Sequence, residues 1–280
     1  MFAAFIAAVV GAVDLIIVKK FFNAFKKLSF KTFSWWLFVF IIAVCLIVSP
    51  WLVQIDVPMA TSPYFLWLLL IMAFLSANYN LLYYYGLSYE NVSEIEPFLL
   101  FDPIVVILLA SAFYADERFW QLYVAAFIAG GFLVWSHIKK HHIKFGKPLL
   151  AVLGFSILAG LEAVVIKQLL DVYSPTALYL VRAIVVALFL LVMQEDKVKL
   201  IKLKYVPYFL VLAVSAVLVQ SLTYYAYHNV GVGITEFILL LSPVLVYGLS
   251  YLVLKEKLNW KNLVTSAVVV ALVIWVSLVR

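Results

Sequence analysis

Apolar runs of about twenty residues follow one another along almost the whole chain, and that is the length a helix needs to cross ~30 Å of hydrocarbon. "FAAFIAAVVGAV", "LFVFIIAVCLIV" and "SAVVVALVIWVSLV" are representative. They do not show the ten-residue alternating pattern of a membrane barrel. Of the 280 residues, 67% are hydrophobic and only 12% charged, with a mean hydropathy of +1.13. A soluble domain is nearer ~45–50% apolar and ~25% charged. No soluble core could hide this much apolar surface, so the expected fold class is an all-α integral membrane protein.

Ten transmembrane helices are expected, at roughly 2–21, 33–53, 63–86, 93–114, 119–137, 148–170, 175–193, 205–229, 233–254 and 260–279. Pro63, Pro148, Pro175 and Pro207 fall in predicted first turns, where a missing N–H costs nothing. The first segment has no basic stretch before it and carries Asp14, so it is expected to stay as a helix rather than act as a cleaved signal. Connections are short, and none is long enough for a separate domain. The single Cys45 can form no intrachain disulfide.

The two halves of the chain look alike. "PYFLWLLL" (63–70) resembles "PYFLVLAV" (207–214). "YYYGLSYENVSEIEPFLLFDPIVV" (83–106) resembles "TYYAYHNVGVGITEFILLLSPVLV" (223–246), which aligns Pro103 with Pro243 and Glu96 with Glu236. "DERFW" and "KEKLNW" put Glu117 beside Glu256. Asp14 and Glu162 also recur, each followed five positions later by a lysine, Lys19 or Lys167. The expected repeats are 1–143 and 144–280, five helices each. An odd number per repeat inverts the second copy in the membrane.

The net charge of +6 does not point to nucleic acid. Lysines crowd the connections after the first, fifth, seventh and ninth segments, and the opposite side holds only Arg118 and the terminal Arg280. Positively charged loops stay cytoplasmic, so both termini are expected outside, in a plasma or inner membrane. The lipid bilayer is the surface these lysines meet.

The motifs "GAVDLIIVK" (11–19) and "AGLEAVVIK" (159–167), Arg182 in "PTALYLVRAIV", and the repeated Pro103/Glu117 and Pro243/Glu256 resemble the EamA-type transporters of the drug/metabolite transporter superfamily. The resemblance spans the chain and implies ten helices in two EamA repeats. It implies a site between the repeats, lined by helices 1–4 and 6–9. It also implies transport of amino acids and related organic compounds, often as export. The first repeat has no counterpart of Arg182 in "SWWLFVFIIA".

Asp14 and Glu162 lie roughly 18 and 21 Å into their helices. Carboxylates that deep are costly and generally face the bundle interior or a wet cavity. A desolvated carboxylate is a candidate proton carrier, so protons are a possible coupling partner. The alternative is that the two acids only tie helices together. Five residues is about 500° of turn, so each lysine points away from its own acid. Arg182 could pair with Glu162 or with a substrate carboxylate. Tyr83, Tyr84, Tyr224 and Tyr225 are candidate pocket residues; some of the tyrosines must instead form an interfacial belt, because consecutive residues cannot all face one cavity. Asp102, just before Pro103, is deep enough to be a further candidate.

Several other polar residues have plainer readings. Ser93 and Glu96 read as a capping box, Thr235 with Glu236 as a capped first turn, and Glu117 and Glu256 as caps of the fifth and tenth helices. His228 at a helix end reads as solvated or capping. His137, His141 and His142 read as part of a solvated basic loop. No P-loop, Gly-x-Ser-x-Gly or His-Glu-x-x-His is present, so no enzyme, catalytic residue, cofactor or metal is expected.

The leading expectation is a secondary-active permease or exporter of small organic metabolites, acting as monomer or homodimer. The surplus of acids over bases in the spans favours amino acids or organic cations. The alternatives are a flippase for a lipid-linked substrate and a non-transporting membrane sensor or scaffold.

Overall fold

Proline sets where several helices begin, and hydrocarbon leaves helix as the only open-chain way to satisfy the backbone. The computed structural model describes residues 1–24, 30–89, 102–137, 147–193, 201–254 and 260–279. Its long helices are α1 (Phe2–Ala24), α2 (Phe30–Leu52), α3 (Pro63–Tyr89), α4 (Asp102–Phe113), α5 (Trp120–His137) and α6 (Lys147–Leu169). They continue with α7 (Pro175–Val192), α8 (Val206–Val230), α9 (Val232–Leu239), α10 (Leu241–Leu254) and α11 (Trp260–Val279). Among the described residues there is no strand, only an isolated bridge between Ile55 and Tyr173.

Five helical stretches are long and apolar enough to cross a membrane: Thr32–Leu52, Pro63–Leu82, Pro175–Val192, Leu203–Val230 and Val232–Leu249. Shorter apolar helices cover Phe2–Asp14, Asp102–Phe113, Trp120–Ser136 and Leu263–Val279. The outer surface is apolar too: Trp51, Trp67, Phe74 and Val192 are all exposed. Such a belt is what lipid, not water, covers. The chain is a multi-pass membrane protein.

Two prolines disturb helices from within. Pro50, inside α2, has no N–H to give the carbonyl of Leu46, and the Ser49 hydroxyl donates to that oxygen instead, at 2.7 Å. Pro243 likewise cannot donate to the carbonyl of Leu239, and the helix breaks at Leu240, between α9 and α10. The one glycine with positive φ among the described residues, Gly231 at 103°, makes the sharp turn from α8 into α9.

The halves interlock rather than sit side by side. α1 packs on α8, the third helix of the second half, and α6 packs on α3, the third helix of the first. α2 meets α7, α5 meets α11, and α4 meets both α6 and α9. One apolar core joins α2, α3, α6, α7 and α8; a second joins α4, α5, α9 and α11.

The contact of α4 with α6 is close because of Gly160. A Cβ there would lie 2.7 Å from Leu109 Cδ1 and 3.3 Å from the Val106 Cα. The leucine tip can swing away, but the backbone of α4 cannot. Gly160→Ala should lower stability by about 1–3 kcal/mol, and Gly160→Leu by more, as overpacking does. Thermal unfolding in detergent checks this; unchanged melting of both variants would mean the helices do not touch at Gly160.

Candidate functional site

The deepest ion pair joins two helices, and a third adds a serine hydroxyl. Glu162 comes from α6, Arg182 from α7 and Ser76 from α3. Arg182 Nε donates to Glu162 Oε1 at 2.8 Å and to Ser76 Oγ at 3.2 Å. The Ser76 hydroxyl donates to the same Glu162 oxygen. Both charged side chains are almost fully buried, at 4% exposure for Glu162 and 6% for Arg182. A buried ion pair of this kind persists because each partner would otherwise be an uncompensated charge.

An aromatic wall surrounds the arginine. Its guanidinium carbon lies 5.3 Å from the centre of the Tyr79 ring and 5.9 Å from that of Tyr179. Tyr224 meets Tyr179 edge-on at 6.2 Å and stacks on Tyr227 at 6.1 Å. The Tyr227 hydroxyl donates to Glu236 Oε1 on α9. Asp102, at the start of α4, neighbours both Glu236 and Glu162. Its Oδ1 is buried and accepts no hydrogen bond among the described residues. Among the described residues, the core around Arg182 therefore gathers three carboxylates, Glu162, Asp102 and Glu236, about one guanidinium.

The other repeated acid has a parallel arrangement. Ser215 on α8 donates to Asp14 Oδ1 on α1. In each half, the acid of the first helix thus takes a serine hydroxyl from the third helix of the other half. Among the described residues no arginine stands beside Asp14 as Arg182 stands beside Glu162, and the sequence of α2 contains none. Ser215 lies nine residues before Tyr224, about 13 Å along α8, so the two acid sites sit at different depths.

A third cluster lies at one end of the bundle. Lys167 Nζ reaches Glu117 Oε1 at 2.5 Å and Asp116 Oδ2 at 3.3 Å, over the ring of Tyr114. The Glu117 carboxylate also accepts the backbone N–H groups of Val232, at 2.9 Å, and Gly233, at 2.6 Å. Glu117 was expected to cap the fifth helix; it caps α9, in the opposite half, because the turn at Gly231 carries those amides to it. The nearby Arg118 caps the end of α4, donating to the carbonyls of Ser111 and Ala112.

The remaining sequence candidates divide. Tyr224 is fully buried beside Arg182, whereas its neighbour Tyr225 is 54% exposed. Tyr225 lines an open depression of about 490 Å³ with Asp56, Asp171 and His228. The side chains of Tyr83, Tyr84, Lys19 and His137, and the whole of Glu94, Glu96, His141, His142 and Glu256, lie outside the described residues. Glu236 differs from its expectation as a first-turn dipole residue. α9 starts at Val232, so Glu236 falls in the second turn and points inward to Tyr227, at 8% exposure.

Glu236, Ser76, Ser215 and Tyr79 are the site residues that sequence reasoning missed. The pairing of Glu96 with Glu236 between the halves was the available signal for the first. The serines gave none, since a serine in a helix needs no partner. Among the described residues no group of His, Cys, Asp or Glu is placed to hold a metal ion.

Removing one member of the central pair should be costly. Glu162→Leu or Arg182→Met alone is expected to lose about 3–5 kcal/mol, while the double variant recovers most of that loss. Thermal unfolding of the four proteins in one detergent measures the coupling. Additive losses would show that the two side chains do not depend on each other.

Comparison with known proteins bears on what such a core serves. The EamA-like transporter family model matches residues 146–278. Among solved structures, 28 chains match. One, a crystal structure of another protein, covers 99% of this chain and 96% of its own with a TM-score of 0.78, at 15% sequence identity. That likeness establishes the fold over nearly the full length. No curated protein matches the chain in sequence. The second half of the chain, residues 146–278, is thus similar to the EamA-like transporter family of the drug/metabolite transporter superfamily.

Proposed function

We propose that the protein is a secondary-active transporter of small organic metabolites, with amino acids or organic cations as its substrate class. The observation that carries this reading is the interior charge balance: three carboxylates and one guanidinium, walled by Tyr79, Tyr179 and Tyr224. An ammonium group suits such a core, since carboxylates offset its charge and aromatic faces attract it. A zwitterion could also present its own carboxylate to Arg182. Phosphate esters fit poorly, because they call for several basic groups.

Alternating access follows from the two-half design. Two inverted five-helix repeats, 1–143 and 144–280, account for the way contacts interchange: α1 on α8 against α6 on α3, and Asp14 with Ser215 against Glu162 with Ser76. The helix broken at Leu240 is of the kind that lines substrate sites in such transporters. Proton coupling belongs to the same reading, since a proton can neutralise a surplus carboxylate when no cationic substrate is present. The lysine-rich connections are then cytoplasmic and both termini outside.

Ligand-dependent thermal stability of the purified protein tests the substrate class. Amines and amino acids should raise the melting temperature, by the equivalent of about 2.7 kcal/mol at 100 times Kd, while nucleosides and phosphate esters should not. Glu162→Gln should abolish the shift. A response to phosphate esters alone would overturn the assignment, and a response to lipid-linked compounds alone would favour a flippase.

Coupling is tested in proteoliposomes. Uptake of the stabilising compound should follow an imposed pH gradient, and Asp14→Asn should blunt that dependence. Uptake indifferent to the gradient in both proteins would remove protons from the mechanism.

A further inference from the structure

We infer that Glu117 is a latch, which holds one face of the bundle shut by seating its carboxylate on the N-terminus of α9 and on Lys167. The inference rests on the alternating-access reading, and concerns which contact must break when that face opens. Glu117 belongs to the first half; Lys167, Val232 and Gly233 belong to the second. Its two carboxylate oxygens receive three donors from across the divide: Lys167 Nζ at 2.5 Å, the Val232 amide at 2.9 Å and the Gly233 amide at 2.6 Å. Glu117 is buried, at 5% exposure. Such charge-assisted bonds are the strong ones, and here two of the donors are at the positive end of a helix.

The backbone is shaped around the carboxylate. Gly231 has φ 103°, and a Cβ on it would lie 3.1 Å from Glu117 Oε1. A Cβ on Gly233 would lie 3.2 Å from Glu117 Oε2 and 3.0 Å from Leu122 Cδ2. Any larger residue at either place pushes into the seat. Lys167 also reaches the exposed Asp116 carboxylate at 3.3 Å. Other bonds between the halves at this face, among the described residues, are neutral, such as Tyr64 Oη to Gln168 at 2.9 Å, the Ser174 amide to Gln54 at 2.9 Å and the Asp56 amide to Val172 at 3.0 Å. Of the two acids that meet Lys167, Glu117 is the buried one, with its side chain 6% exposed against 73% for that of Asp116.

The latch also bears on the deep site. Lys167 is five residues beyond Glu162 on α6, about 7.5 Å along the axis. A displacement of α6 that frees Lys167 from Glu117 also moves Glu162 against Arg182. The seat is specific for an acceptor at position 117: exchanging the charges, Glu117→Lys with Lys167→Glu, would aim an ammonium at two amide hydrogens.

The test is labelling of a reporter cysteine in the full chain. Cys45 is buried and is replaced by alanine; Ser76→Cys places the one thiol beside Glu162. A membrane-impermeant cationic thiol reagent is added to either side of proteoliposomes of known orientation. Labelling from the face bearing Asp56, Asp116 and Asp171 should be slow in the parent. Glu117→Gln, Lys167→Met and Gly231→Ala should each speed it about tenfold or more, from the loss of charged hydrogen bonds. Lys167→Arg should stay near the parent rate, and the charge exchange should remain fast. Melting temperatures confirm that the variants compared are folded; Glu117→Gln and Lys167→Met carry the test if Gly231→Ala does not fold.

Labelling of the parent from some face, with unchanged rates in every folded latch variant, would overturn the latch and leave alternating access standing. A return to the parent rate on charge exchange would reduce the contact to a plain ion pair and overturn the seat on α9. Absence of labelling from both faces in every variant would overturn the latch and the transport reading together.

Discussion

A carboxylate and a guanidinium taken out of water together fix the middle of this protein. Glu162 and Arg182 hold α6 and α7 at one distance, and Ser76 draws α3 into the same contact. In hydrocarbon no solvent is available to replace a lost partner, so these helices must return to one arrangement whenever the pair forms. The aromatic wall follows from it. Tyr79 and Tyr179 face the guanidinium, Tyr224 and Tyr227 extend the stack, and Glu236 ends it through the Tyr227 hydroxyl.

Charge is used at two levels on α6. Glu162 binds inward to the core, and Lys167 binds outward to Glu117 at the end of the bundle. Their five-residue spacing turns them to different sides of the helix, so neither competes for the other's partner. One rigid element thus carries both a deep ion pair and a second one near the end of the bundle. The loop bearing Glu117 and the turn at Gly231 meet over the end of this helix, which explains why a short irregular segment is so fully bonded there.

Much of the fold was legible because hydrocarbon imposes simple rules. Length and apolarity mark an all-α membrane chain, proline marks the starts of α3, α7 and α8, and the recurrence of Asp14 and Glu162 points to two acids that each accept a serine hydroxyl from the other half. The outward turn of Lys167 followed from helix geometry alone. What escaped notice depends on contacts between the halves. Glu117 looked like a local cap because sequence shows only the helix that follows it, not the amides brought to it by a glycine over a hundred residues away. Glu236 reads as a first-turn residue when the helix is started at Gly233, but its inward direction is set by the packing of α9 against Tyr227 of α8, which sequence does not display. Ser76 and Ser215 carry no pattern at all, since their meaning lies in what stands opposite.

The presence of an arginine beside one repeated acid and not the other has a consequence for the resting state. Among the described residues, Asp14 meets Ser215, while Glu162 meets Ser76 and Arg182. Exchanging the roles of the halves would not regenerate the same electrostatics, so a protein that rocks between two end states on this core has no reason to populate them equally. With identical solutions on both sides, it would still rest preferentially in one orientation. On the proposed transport reading, such a preference would draw on Arg182, which α7 carries and α2 does not match.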